Sequence, residues 1–247
     1  MPEYQVNRRK DVELFLHAPA LKEVRSRKKP TRYFWCDMTD MFLEGVPREW
    51  WKAINGVWMD TPQHVHMVLT KRPEQMRQYF SEDSPPPNVW AGISCEDQAT
   101  ADERIPILLQ TPAAVRFISA EPLLGPVLLD VTWPKGFPRG INAVGDVFDA
   151  LRFDDCNSAA PLGHLDWVIL GGESGPDARP CDLAWIRSLK DQCQSAKVPV
   201  FVKQLGSKPI WSSDEYNGRD LPLFVKDKKG GDMREFPPDL QVREFPR

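Results

Sequence analysis

The chain has no apolar run long enough to span a membrane, and its first segment, MPEYQVNRRKDVELF, is too polar for a signal peptide. The expectation is a protein of the cytoplasm with no membrane partner, in the host cell cytoplasm if the gene belongs to a phage. Cysteine is scarce. The five, Cys36, Cys95, Cys156, Cys181 and Cys193, are odd in number, widely spaced and never in a C-x-x-C pair. That excludes a disulfide framework and fits reduced thiols. Excess positive charge is also missing: 32 Lys and Arg stand against 35 Asp and Glu, a formal charge of -3. The whole molecule is therefore not drawn to nucleic acid or to an anionic surface, although local basic patches remain open.

What the chain does have is a repeat. Its 247 residues, 41% of them apolar, suffice for one large domain. Short apolar runs that end in polar residues alternate with helical stretches. The strands are read at 32–36 (RYFWC), 65–69, 89–94, 115–119, 165–170 and 198–202. Helices are read at 47–59, from Pro73, at 99–109 and at 183–196, with an earlier helix start at 11–16. Strands alternating with helices at this spacing indicate parallel βαβ units. Near-continuous apolar strands fit a sheet covered on both faces. The fold class expected is α/β: parallel (βα) repeats forming a partial TIM-type barrel of about six strands. A barrel-like domain covers 1–206. Within it, 123–164 is rich in Gly and Pro and reads as an insertion or lid. Residues 207–247 read as an extension packed on the domain surface, weakly ordered in places.

In parallel α/β folds the C-terminal strand ends share one mouth, where ligands bind. The six ends here offer Asp37 and Asp40; Lys71 and Arg72; Glu96 and Asp97; Glu121; Glu173 and Ser174; Lys203 and Gln204. These are the candidate ligand residues. The stretch LDWVILGGESGPDARP is central. A buried strand breaks at Gly171-Gly172 and presents Glu173 and Ser174, and a polar tip of Asp177 and Arg179 follows. Gly171, Gly172, Glu173 and Ser174 are the candidate cofactor-binding set, since glycine lets a ligand approach the backbone. No P-loop Lys-Ser/Thr follows, so this is not a nucleoside-triphosphate signature. The competing reading is a tight turn packed against the next helix. Lys71 and Lys203 read equally as ligand contacts or as structural ion pairs with Glu121 or Glu173.

Other features carry blander readings. His64 and His66 share a strand face, but at the strand's start, the wrong end for a barrel metal site; a surface or packing role is expected. Trp50 and Trp51 read as core. The basic run Arg25, Arg27, Lys28, Lys29 and Arg32 reads as a solvated helix end or as a phosphate-contacting patch.

Four segments carry a resemblance: NVWAGISCEDQATADERIPILLQTPAAVRFISAEPLLGP, LDWVILGGESGPDARP, WIRSLKDQCQSAKVPVFVKQLG and GGDMREFPPDLQVREFP. Together, from about Arg32 onward, the chain resembles an uncharacterised phage and bacterial family whose full-length members resemble radical S-adenosylmethionine enzymes. The resemblance implies a (βα) barrel and S-adenosylmethionine as cofactor. It also implies an iron–sulfur cluster held by an N-terminal three-cysteine segment. Residues 1–30 hold no cysteine, and a cluster needs three clustered thiolates. Three expectations follow: a fragment with a displaced start, half of a split enzyme whose cysteine segment is a separate polypeptide, or a remnant that kept only the cleft. The alternative function is a non-catalytic module that binds a nucleotide or nucleic acid through 25–32 and the basic strand ends.

Overall fold

The computed structural model describes residues 14–36, 39–132, 147–151, 163–212 and 219–246. Its centre is a six-stranded, all-parallel sheet. The strands are β1 (Arg32–Trp35), β2 (Val65–Thr70), β3 (Val89–Ser94), β4 (Val115–Ala120), β7 (Trp167–Gly171) and β9 (Val200–Gln204). They lie in chain order, β1-β2-β3-β4-β7-β9, and curl into a half-barrel, so the expected fold class is what the chain adopts. Helices α1 (Ala18–Ser26), α2 (Arg48–Asp60), α3 (Pro73–Glu82), α4 (Gln98–Leu109) and α5 (Leu183–Ala196) lie between or before the strands.

Local chemistry sets the helix ends. Pro73 takes the first turn of α3, where its missing N–H is no loss. Asp97 caps α4: its carboxylate accepts from the Thr100 backbone N–H at 2.9 Å, and the Thr100 hydroxyl accepts from the Asp97 N–H. Asp182 caps α5 through the Ala184 N–H at 2.9 Å, and Lys197, at φ 60°, ends it in a left-handed turn.

Several boundaries differ from expectation. The first helix starts at Ala18, not within 11–16; residues 14–17 are not helical, and 11–13 lie outside the described residues. The last sheet strand runs two residues further toward the C-terminus than 198–202, so Lys203 and Gln204 sit inside it. Of the expected insertion, the described part is no loose lid. Leu123, Val127 and Leu129 are buried in the core, and Gln192 of α5 pins that segment through the Leu129 N–H and the Val127 carbonyl. Two short antiparallel strands, β5 (Asp130–Thr132) and β6 (Val147–Asp149), follow. A second small sheet joins β8 (Cys181–Asp182), β10 (Pro209–Trp211) and β11 (Leu221–Pro222).

The sheet separates two apolar clusters. The larger packs strand residues such as Val68, Ile93, Ile118, Leu170 and Val202 against the helices. The smaller lies on the concave face: Met67, Trp90, Phe117, Trp167 and Ile169, flanked by Phe201. Gly92 belongs to this face, where a Cβ would stand 2.2 Å from the Phe117 ring, so only glycine leaves the ring its place. The C-terminal segment completes the floor. Val202 N–H donates to Val242 O and Glu244 N–H to Val200 O, both at 2.9 Å. Phe245 packs on Trp167 and Phe201 at centroid distances of 5.3 and 5.2 Å. The Arg32 guanidinium of β1 lies 3.8 Å over the same ring. Phe245 thus bridges the first and last strands of the open barrel. The tail was expected as a surface extension; its described end is part of the floor.

Candidate functional site

Side chains alternate along a strand, so residues two apart share a face. Followed upward from the aromatic floor, the concave face turns polar: Met67 and Leu69 lead to Lys71, Trp90 to Ser94 and Glu96, Phe117 to Ser119 and Glu121, Ile169 to Gly171, and Phe201 to Lys203. The strand-end candidates therefore converge on one mouth, and the contacts among them follow a pattern. Lys71 Nζ bonds Glu96 Oε1, and Arg104 of α4 donates to Glu96 Oε2 at 3.1 Å and to Ser94 O at 2.8 Å. Lys203 Nζ donates to Glu121 Oε2 at 2.9 Å. The Lys71 and Lys203 side chains are 57% and 55% exposed, whereas those of Glu96 and Glu121 are 10% and 15% exposed. Carboxylates line the base of the mouth and ammonium groups rise over them.

Glu173 is committed to Arg179. Its carboxylate accepts from Arg179 Nε at 2.7 Å, Nη2 at 2.9 Å and the Arg179 backbone N–H at 2.9 Å. These bonds hold the acid well below the usual carboxylate range, at about 2. Glu173, a cofactor-binding candidate, is thus engaged by Arg179, whose side chain faces outward, 56% exposed. At Gly171 and Gly172 neighbouring chain stands close. A Cβ on Gly171 would lie 3.3 Å from the Glu121 carboxyl carbon, and one on Gly172 only 2.3 Å from Leu205 O. Both glycines make room for neighbouring chain. Ser174 is exposed on the turn.

Other candidates serve structure. Asp40 gathers the first two strand ends, accepting from the Thr70 hydroxyl at 2.8 Å, the Lys71 N–H at 3.2 Å and Arg72 Nη1 at 2.8 Å. Arg72 is thereby paired. Asp97 caps α4, and hydrogen bonding by Thr100 lowers its pKa. Gln204 is buried and its amide donates to Gly172 O at 2.8 Å. Asp37 lies outside the described residues. What remains with unfilled capacity at the mouth is Glu121, with one partner, and the exposed cations Lys71, Lys203 and Arg179. Arg104 and Arg179 were not among the candidates; their identity depends on contacts that spacing does not reveal.

His64 and His66 sit at the foot of β2, as expected. His66 is fully enclosed: Trp35 Nε1 donates to its Nδ1 at 3.1 Å, and its Nε2 lies 2.9 Å from the Thr61 hydroxyl. That hydroxyl donates to Val57 O, so it accepts from a neutral Nε2–H tautomer. Burial and the neighbouring His64 push the His66 pKa down to about 4. The basic run also belongs to this end. Arg25 pairs with Asp60 at the end of α2, and Arg32 opens β1. The run at 25–32 and the basic strand ends thus lie at opposite ends of the sheet. A cavity of about 1200 Å³ opens at the same lower end around Asp166, Lys197 and Phe245, away from every strand-end candidate. No helix among the described residues is long and apolar enough to cross a membrane.

The implied iron–sulfur cluster does not fit the described thiols. Cys95, Cys181 and Cys193 are buried, and burial raises all three pKa values, Cys181 and Cys193 to about 12. Cys36 is half-buried and packs against the larger apolar cluster. Among the described residues no three His, Cys, Asp or Glu side chains group as metal ligands. Cys156 lies outside them.

The sequence over residues 2–233 matches one family, described as a protein of unknown function (DUF5131). The chain belongs to the DUF5131 family. No curated protein and no solved structure matches it. Membership in DUF5131 agrees with the uncharacterised-family part of the resemblance. The DUF5131 description names no activity, so the radical-enzyme part rests on the four sequence segments alone.

Proposed function

We propose that this protein is an S-adenosylmethionine-binding half-barrel of the radical-enzyme type. The ligand's amino-acid end sits at the mouth formed by Glu121, Lys203, Lys71 and Arg179. One observation carries the reading: exposed cations stand over largely covered carboxylates at the strand ends. A zwitterionic amino-acid group needs an acceptor for its ammonium and a cation for its carboxylate, side by side. Glu121 supplies the acceptor, having one partner and lone pairs to spare. The ion pairs at the mouth are half open to water, so exchanging one for a ligand group loses little. Below, the aromatic floor excludes water from the lower barrel. The described thiols hold no cluster, so a separate cysteine-bearing polypeptide is the proposed partner for redox chemistry. This chain's own part is to bind and orient.

Equilibrium dialysis of S-adenosylmethionine against the purified chain tests this. Saturable binding is expected, weakened at least tenfold by Glu121→Gln and by Lys203→Met, both checked for folding by circular dichroism. Absence of binding, or equal binding by both variants, overturns the reading.

A further inference from the structure

Beside the mouth, on the β9 side, the chain raises a second surface that the ligand reading does not use. Phe224 is 89% exposed. It follows β11 and precedes the run Lys226-Asp227-Lys228-Lys229, whose three lysines are all exposed and form no ion pair among the described residues. Two acids of this stretch, Asp227 and Glu235, are held by backbone N–H groups. Asp227 accepts from the Gly231 backbone N–H. Glu235 accepts from the Lys226 and Asp227 N–H groups at 2.8 and 3.1 Å. The segment is fastened to the mouth: the Ser207 hydroxyl donates to Lys228 O at 2.6 Å and accepts from the Gly175 N–H at 2.9 Å, and the Ser207 N–H donates to Glu173 O at 2.8 Å. The lysine-bearing loop is thus continuous with the turn that carries Arg179.

A bare aromatic ring followed by three exposed lysines has the two elements that bind single strands: a π-face for a base and ammonium groups for phosphates. We infer that this rim docks a single-stranded nucleic acid, Phe224 stacking a base while Lys226, Lys228 and Lys229 contact the backbone. The patch is local, which a net charge of -3 allows. It lies at the opposite end of the sheet from the basic run at 25–32.

Fluorescence anisotropy with labelled mixed-sequence single-stranded RNA and DNA, over a salt titration beginning at low salt, tests the inference. Binding is expected to weaken with salt. Phe224→Ala should weaken it at least about fivefold. Lys228→Ala with Lys229→Ala should lower the slope of log affinity against log salt by about 1. Both changes are at exposed positions, so thermal melts should stay at the parent value. Arg25→Ala with Lys28→Ala is the control and should bind as the parent does. No binding at low salt overturns the inference, as does binding that Phe224→Ala leaves intact. Binding to anionic lipid vesicles without binding to either oligonucleotide also overturns it. Glu121→Gln should not alter oligonucleotide binding, so failure of the S-adenosylmethionine reading is separately visible.

Discussion

The two ends of the half-barrel spend the same strands in opposite ways. At the foot, Trp90, Phe117, Trp167, Phe201 and Phe245 interlock ring on ring, and the indole N–H of Trp167 is satisfied by Glu244 O at 2.8 Å. At the mouth, the same strands end in Lys71, Glu96, Glu121 and Lys203, paired but open to water. Buried apolar area holds a fold together, and half-exposed ion pairs add little. The foot is therefore where stability resides, and the mouth can exchange partners without unfolding the sheet.

That contrast can be broken. The largest effect is expected from Trp167→Ala, which empties the centre of the floor and leaves Glu244 O without its donor. Urea denaturation should show a loss of about 3–5 kcal/mol. A loss no larger than that of a mouth substitution would erase the distinction.

A pH profile sharpens it next. The His66 pKa falls from 6.5 to about 4 on folding. Its neutral form contributes stability fully above the unfolded value, and that contribution is lost as pH drops through 6.5 toward 4. The span is on the order of 3 kcal/mol. Urea midpoints followed across this window should fall more steeply in the parent than in His66→Gln; parallel curves would refute the buried neutral imidazole.

The smallest effect belongs to the mouth. Arg179→Ala should change stability by less than about 1 kcal/mol at neutral pH, because the pair is more than half exposed on the arginine side. Chemical-shift titration of Glu173 in that variant should show its carboxyl returning from about 2 toward 4.5.

The alternation of apolar runs and helices was enough to read six parallel strands, because fully buried strands leave unbroken hydrophobic stretches. It also read the strand ends as a mouth. It failed where the cause is long-range. Lys203 and Gln204 were placed beyond their strand because polarity was taken for an ending, yet Gln204 is buried against Gly172. For Gly171 and Gly172 the sequence left ligand space and a tight turn both open, because a doublet of glycines does not say what stands beside it; Glu121 and Leu205 do so here. The aromatic floor was invisible. Trp90, Trp167 and Phe201 each look like ordinary strand residues, and only the curled sheet and a distant Phe245 bring them together. Nothing in VREFP alternates strongly enough to announce a segment that pairs with β9.

The bridge made by Phe245 has a bearing on how the protein is made. Arg32 leaves the ribosome long before Phe245, yet the two meet across the barrel's open side. Until residues 244 and 245 have been added, the nascent sheet must hold an unsealed aromatic face, with Trp167 lacking its acceptor. Final compaction of the floor thus waits for the 242–246 segment, and a chain that stopped short of it would leave its strands beside an exposed, adhesive surface.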